Sequence, residues 1–264
     1  MSDTVIQVEG VHRSFGSLKV LRDVSFSLEE GQTLCILGAS GDGKTTLLKV
    51  LMGVLPPDEG RVLLFGRDVY ALPEDELQEL RRTVGVTFQS GALLNSMTLA
   101  QNVALPLEYH TELDDDTIAT MVKIKLQQVG LLEAADRRPS EVSGGMKKRA
   151  AVARALAMDP RMLFYDEPSA GLDPIATARV DRLINDLKTG MGITNVVVTH
   201  EMESVRRIAD RILLQHRGSV LLDGTLDDLL ESDEPRVQRF VNGDIEGLAK
   251  APTNLAAFHQ DLLL

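Results

Sequence analysis

Tryptophan is absent from this 264-residue chain, aromatic residues make up only 4% of it, and cysteine occurs once, as Cys35. A lone cysteine excludes an internal disulfide and a zinc site built on cysteines. It falls inside an apolar run, so a buried small hydrophobe is expected there rather than a reactive thiol. Long apolar runs are also missing: Leu34 to Leu37, Met162 to Tyr165 and Val196 to Val198 fall far short of the ~20 residues that span a bilayer. The chain is not expected to cross a membrane by itself. Its start, Met1-Ser2-Asp3-Thr4-Val5, has neither the basic segment nor the apolar stretch of a secretory signal, which predicts a cytosolic location. Positive charge is in deficit, with a formal net charge of −11, and this argues against a broad nucleic-acid surface. The local basic cluster Lys147-Lys148-Arg149 is expected to be a solvated helix face. The acidic run Asp114-Asp115-Asp116 reads as a solvated helix start, where carboxylates favour the dipole.

What the chain does contain is ordinary for a globular protein, 44% apolar and 25% charged residues, enough for one large domain or two small ones. The first thirty residues alternate, with Ile6 and Val8, then Val24, Phe26 and Leu28, separated by polar positions; half-buried antiparallel strands follow. From Thr33 the pattern changes to short apolar runs between amphipathic helical stretches, the sign of a parallel sheet in an α/β core. Core strands are expected near residues 33–37, 84–88, 162–165, 194–199 and 211–214. Between Leu99 and Gly145 strand signals vanish and Ile118, Met121, Val122 and Val129 recur at helical spacing. The spacing predicts a helical insertion, a subdomain over about 99–158. A last strand at Val220 to Leu222 and an acidic helix near Leu226 to Leu230 precede a tail over 243–264.

Gly38-Ala39-Ser40-Gly41-Asp42-Gly43-Lys44-Thr45 is a complete nucleotide-binding loop, set between the Thr33 to Leu37 strand and a helix-like run from Thr46 to Met52. Its glycines let successive N–H groups turn toward phosphate oxygens, and the helix N-terminus adds a favourable dipole. Lys44 is expected to bridge the terminal phosphates and the Thr45 hydroxyl to ligate Mg²⁺. Asp42 would repel ATP if it faced inward, so it is expected to point to solvent. A second motif, Met162-Leu163-Phe164-Tyr165-Asp166-Glu167, is an apolar strand ending in two carboxylates. Asp166 is expected to hold Mg²⁺ directly or through water, and Glu167 to take a proton from the water that attacks the γ-phosphate.

Ser143-Gly144-Gly145-Met146 opens a basic helix before that strand, Ser169-Ala170-Gly171-Leu172-Asp173 follows it, and His200 ends the run Thr194 to Thr199. With Gln89, this set resembles the ATP-binding subunit of ABC transporters, in the same motif order and from about Ile6 to Asn242. The resemblance implies a P-loop ATPase core with an N-terminal antiparallel β-subdomain and a helical subdomain inserted between the phosphate loop and the acidic strand, all within an ATP-binding domain over 1–242. It implies that Gln89 senses Mg²⁺ and water, that His200 contacts the γ-phosphate, and that Phe15 stacks on adenine. Loop residues 38 to 45 and Thr46 would hold ATP. Ser143, Gly144 and Gly145 would contact ATP held by a second copy, which makes the working unit a head-to-tail dimer.

The signature departs from the common Leu-Ser-Gly-Gly-Gln through Val142 and Met146. The Met version is similar to ATPases of the Mla and Mce-associated phospholipid transporters, as are Phe88 to Leu94, Asn102 to Leu107, Glu167 to Ile175 and Asp233 to Phe240. That resemblance implies a polytopic permease as partner, a STAS-domain accessory subunit, an MCE-domain lipid-binding protein, and a place on the cytoplasmic face of the inner membrane. Gln89 through Leu107 and the helical insertion, with Ala92, Leu93, Leu94, Met97 and Leu99, form the expected groove for a coupling helix of the permease. Lipoprotein release or amino-acid import is the alternative within transport. A soluble ABC ATPase in DNA repair or translation is the alternative outside it.

Overall fold

Period-two alternation builds the first layer of the protein. The computed structural model describes residues 3–243 and opens with β1 (Thr4–Phe15) and β2 (Leu18–Glu29), paired antiparallel with Val8 opposite Phe26 and Val11 opposite Val24. Next comes β3 (Thr33–Leu37), buried along its whole length, which runs through the glycine-rich loop into α1 (Lys44–Leu51). Then β4 (Glu59–Leu64) and the short β5 (Arg67–Asp68) return to the first layer and complete an antiparallel sheet in the order β2-β1-β4-β5. The helix α2 (Glu74–Arg82) leads to β6 (Val84–Thr87), after which three α-helices follow without a strand: α3 (Leu99–His110), α4 (Asp115–Gln128) and α5 (Gly144–Ala155). The chain continues through β7 (Met162–Asp166), α6 (Pro174–Met191), β8 (Thr194–Val198), α7 (Met202–Ile208) and β9 (Arg211–His216). It ends with β10 (Ser219–Gly224), α8 (Leu226–Leu230) and α9 (Pro235–Val241). The expected tail lies outside the described residues, apart from Gly243.

The second sheet has the order β10-β9-β3-β8-β7-β6. Every pair in it from β9 to β6 is parallel, and β10 adds an antiparallel edge. Because side chains alternate across a strand, this sheet is apolar on both faces. Leu34, Ile36, Met162 and Phe164 join the core against α1 and the first layer. Cys35, Leu37, Leu163 and Tyr165 point to the opposite face and share one apolar cluster with the helices. Continuous apolar runs are what burial on both faces requires, and Cys35 is fully buried, its thiol pushed well above the usual range by desolvation.

Helix starts in the insertion are set by local chemistry. Thr98 and Gln101 form a reciprocal capping box at α3. Asp114 caps α4 by accepting from the Thr117 N–H, and that bond with the Thr117 hydroxyl holds its carboxyl below the usual range. Leu99, Val103, Leu107, Val122 and Leu126 lie in the same cluster as the sheet residues Leu163 and Tyr165. The helices between β6 and β7 therefore have no core separate from the sheet.

Candidate nucleotide site

The loop between β3 and α1 is shaped by backbone positions that a side chain would spoil. Gly38 has φ 152°, and a Cβ there would lie 2.7 Å from the Gln215 carbonyl oxygen; Gly43, at φ 97°, would meet the Val20 carbonyl at 2.8 Å. Glycine removes both clashes. Lys44 folds back over the loop, its Nζ donating to the carbonyls of Gly38 and Ala39, both at 2.9 Å. Burial lowers its pKa, against the opposing pull of Glu167, Asp42 and Asp166. Asp42 differs from expectation. Instead of facing solvent it is buried, with Oδ2 accepting from the Ala39 N–H and Oδ1 from the Arg217 N–H. Its negative charge is consumed in holding the loop from behind, and it does not line the cavity in front.

That cavity, about 860 Å³, is lined by Gly38 to Gly41, Gly43 to Thr46, Gln89, Asp166, Glu167 and His200, together with Val20, Arg239 and Phe240. Asp166 ends β7 and Gln89 follows β6, so the parallel pairing of these strands delivers both to the mouth of the loop. The Asp166 carboxyl is raised above the usual aspartate range by burial and then by the charge of Glu167, with Lys44 and the Thr45 hydroxyl pulling the other way. Glu167 has φ 50°, a left-handed conformation rare for a residue with a side chain. Its N–H donates to the Val198 carbonyl at 2.9 Å. Its Oε1 accepts from His200 Nδ1 at 2.9 Å, while Oε2 is buried with no partner among the described residues. A carboxylate with one oxygen free of hydrogen bonds, on a residue that lines the cavity, suits proton abstraction from water.

Two groups of expected residues stand elsewhere. Phe15, at the end of β1, is 48% exposed with the Arg13 guanidinium 5.1 Å from its ring centre, and it does not line the cavity. Ser143 and Gly145 line a separate depression with Asp173 and Arg179. There Ser143 caps α5 by accepting from the Met146 N–H, and Asp173 caps α6.

Lys148 and Arg149 of the basic cluster, and Arg154 further along α5, do not form a solvated face. Lys148 donates to the carbonyls of Gln89 and Glu167, Arg149 to those of Val129 and Gly130, and Arg154 to those of Gly91 and Ala92. Each long side chain satisfies loop carbonyls that helix and sheet leave unpaired. Arg239 and Phe240 at the cavity, and Asn102, whose buried amide bonds Leu94 and Thr98, also escaped sequence reasoning. Their signal in sequence was their place in the segments Asn102 to Leu107 and Asp233 to Phe240, which carried a resemblance and no role.

Residues 21–170 match the family described as ABC transporter, more than half of the chain. The chain belongs to the ABC transporter family. This ABC ATPase is 39% identical over 247 residues to the intermembrane phospholipid transport system ATP-binding protein MlaF of Haemophilus influenzae, with 94% of both chains covered. It is 36% identical over 259 residues to MlaF of Escherichia coli K12, covering 98% of this chain and 96% of that one. A Mycobacterium leprae protein named as a probable ribonucleotide transport ATP-binding protein, mkl, is 42% identical over 238 residues, 90% of this chain and 69% of its own length. Among solved structures, the dimeric ATP-binding cassette MJ0796 in a post-hydrolysis state with ADP and Pi matches with a TM-score of 0.76 and 30% identity, over 84% of this chain and 98% of that one. The Clostridium perfringens protein cbiO1, part of the transporter complex cbiONQ, matches with a TM-score of 0.80 and 28% identity, over 93% and 97%. The fold expected from the motifs is the fold these cassettes share.

Proposed function

We propose that this ABC ATPase powers phospholipid transport through a membrane permease, by ATP-driven closure of a head-to-tail pair of chains on the cytoplasmic face of the inner membrane. The carrying observation is that one chain holds its phosphate loop and its Ser143-Gly145 motif in two separate depressions. A complete site then needs the loop of one copy and the motif of another. The phospholipid assignment rests on similarity to MlaF along nearly the whole chain.

Loop N–H groups and Lys44 bind the phosphates, and Glu167 accepts the proton of the attacking water while His200 orients the carboxylate and the γ-phosphate. Thr45, Asp166 and Gln89 gather at the loop's mouth. Among the described residues no group of three or more His, Cys, Asp or Glu is arranged to hold a metal alone. This sparse oxygen donor set fits Mg²⁺, a cation that keeps several waters and takes phosphate oxygens. When bound it would neutralise charge on the β- and γ-phosphates. Among the described residues no helix is long and apolar enough to cross a membrane, so the transported molecule passes through a partner.

The surface for that partner follows Gln89. Phe88 is 46% and Leu94 42% exposed, and an adjoining apolar depression is lined by Met52, Val54, Leu77 and Phe88. Leu99 is fully buried and Leu93 packs on the core, so the expected groove narrows to Ala92 and Leu94, with Phe88 added beside them. An apolar face of this kind suits a short permease helix. Purifying the complex from native membranes and identifying its proteins and lipids by mass spectrometry tests the reading. A permease with enriched phospholipid is expected, alongside STAS- and MCE-domain proteins. A permease that enriches a nucleotide, a lipoprotein or an amino acid in place of phospholipid overturns the substrate.

A further inference from the structure

β6 and β7 pair in parallel as far as Thr87 opposite Tyr165, and there the ladder stops. Continued in register, it would set Gln89 opposite Glu167. At that split the two carbonyls are joined by one side chain: Lys148 Nζ donates to the Gln89 oxygen at 2.6 Å and to the Glu167 oxygen at 3.0 Å. We propose that Lys148 is a positioning residue for ATP hydrolysis, an ammonium clasp that fixes Glu167 and the Gln89 loop relative to each other. The inference rests on the reading of Glu167 as the general base.

Glu167 holds a left-handed backbone, φ 50°, which persists in a residue with a side chain only where its surroundings over-determine it. Its N–H is fixed by the Val198 carbonyl on the β8 side. On the β6 side the carbonyl meets Lys148, with the Ala170 N–H as a second donor. Half-buried, Lys148 has its pKa lowered by desolvation, with the carboxylates of Glu167, Asp166 and Glu201 opposing the shift. A cation in reduced dielectric makes stronger bonds to carbonyls than a neutral amide does. Lys148 also lies five residues after Ser143, the cap of the same helix.

The test measures ATP hydrolysis and ATP binding for the full chain in its transport complex, with Lys148→Met, Lys148→Arg and Glu167→Gln compared. Misplacing a catalytic group by a fraction of an ångström to an ångström predicts a fall in kcat of about 10- to 100-fold for Lys148→Met. ATP affinity should stay within about twofold, and Lys148→Arg should recover most of the rate because it keeps a charged donor at that point. Unchanged kcat in Lys148→Met overturns the proposal while the role of Glu167 stands. Loss of rate that tracks loss of ATP affinity, or a Lys148→Arg variant as slow as Lys148→Met, overturns it too, since either outcome marks a scaffold residue. Normal hydrolysis by Glu167→Gln removes the general base instead, a result read independently of Lys148.

Discussion

Asp166 shows how a single carboxylate in this site works against the fold that carries it. Burial and the adjacent charge of Glu167 raise its pKa above the ordinary aspartate value. Between that ordinary value and the raised one, the native chain binds more protons than the unfolded chain, so stability falls as pH rises through this window. Above the raised value the whole penalty is present. Asp166→Asn should therefore melt at a higher temperature without nucleotide, and it should lose most of the additional stabilisation that Mg·ATP confers by mass action on the natural chain. A variant that melts lower and keeps the full Mg·ATP shift would contradict both the electrostatic argument and the metal assignment. Asp42 is the contrast. It sits in the same loop with the same charge, yet its two oxygens are taken by backbone N–H groups, so its role is to shape the loop.

The segment from Phe88 to Thr98 is the element we propose to meet the permease. It has no regular structure and is held from beneath by Arg154, through the carbonyls of Gly91 and Ala92, and by the buried amide of Asn102. Its outward apolar residues are left free to meet a partner. Leu94→Asp places a charge on that face without emptying the core, and should cut recovery of the permease in co-purification by about tenfold or more, near 1.4 kcal/mol of binding. ATP binding by the isolated chain should be unchanged. Full recovery of the permease with Leu94→Asp would move the docking surface elsewhere. Truncating Leu99, by comparison, would remove a fully buried side chain and cost stability of about 2–5 kcal/mol, a loss that says nothing about docking.

At the scale of the whole molecule, two depressions on one chain predict behaviour that no monomer can show. With Mg·ATP present, Glu167→Gln should slow hydrolysis by about 10² or more and accumulate as a closed pair in size-exclusion chromatography, the outcome expected when bound nucleotide joins the two chains as proposed. Adding Ser143→Arg should return it to the monomer position, because the bulky cation occupies the depression that meets the partner's nucleotide. A double variant that still elutes as the closed pair would remove the head-to-tail arrangement.

The sequence alone determined the parts whose chemistry is local or periodic. The phosphate loop, the acidic strand end, the alternating first layer and the two-faced core strands were legible because glycine spacing, caps and apolar period depend on near neighbours along the chain. Lys44, Thr45, Gln89, Asp166, Glu167 and His200 do meet in one cavity. What only tertiary structure decided is where long polar side chains end. Asp42 was expected in solvent and is buried against Arg217; Lys147-Lys148-Arg149 was expected to be a solvated face, and Lys148 and Arg149 instead fasten loops 59 and 20 residues away in sequence. Helical spacing states which face a residue occupies, but a flexible charged chain can reach solvent or an orphan carbonyl from that same face. The choice depends on which carbonyls the sheet leaves unpaired nearby, and those are set only when β6 and β7 part.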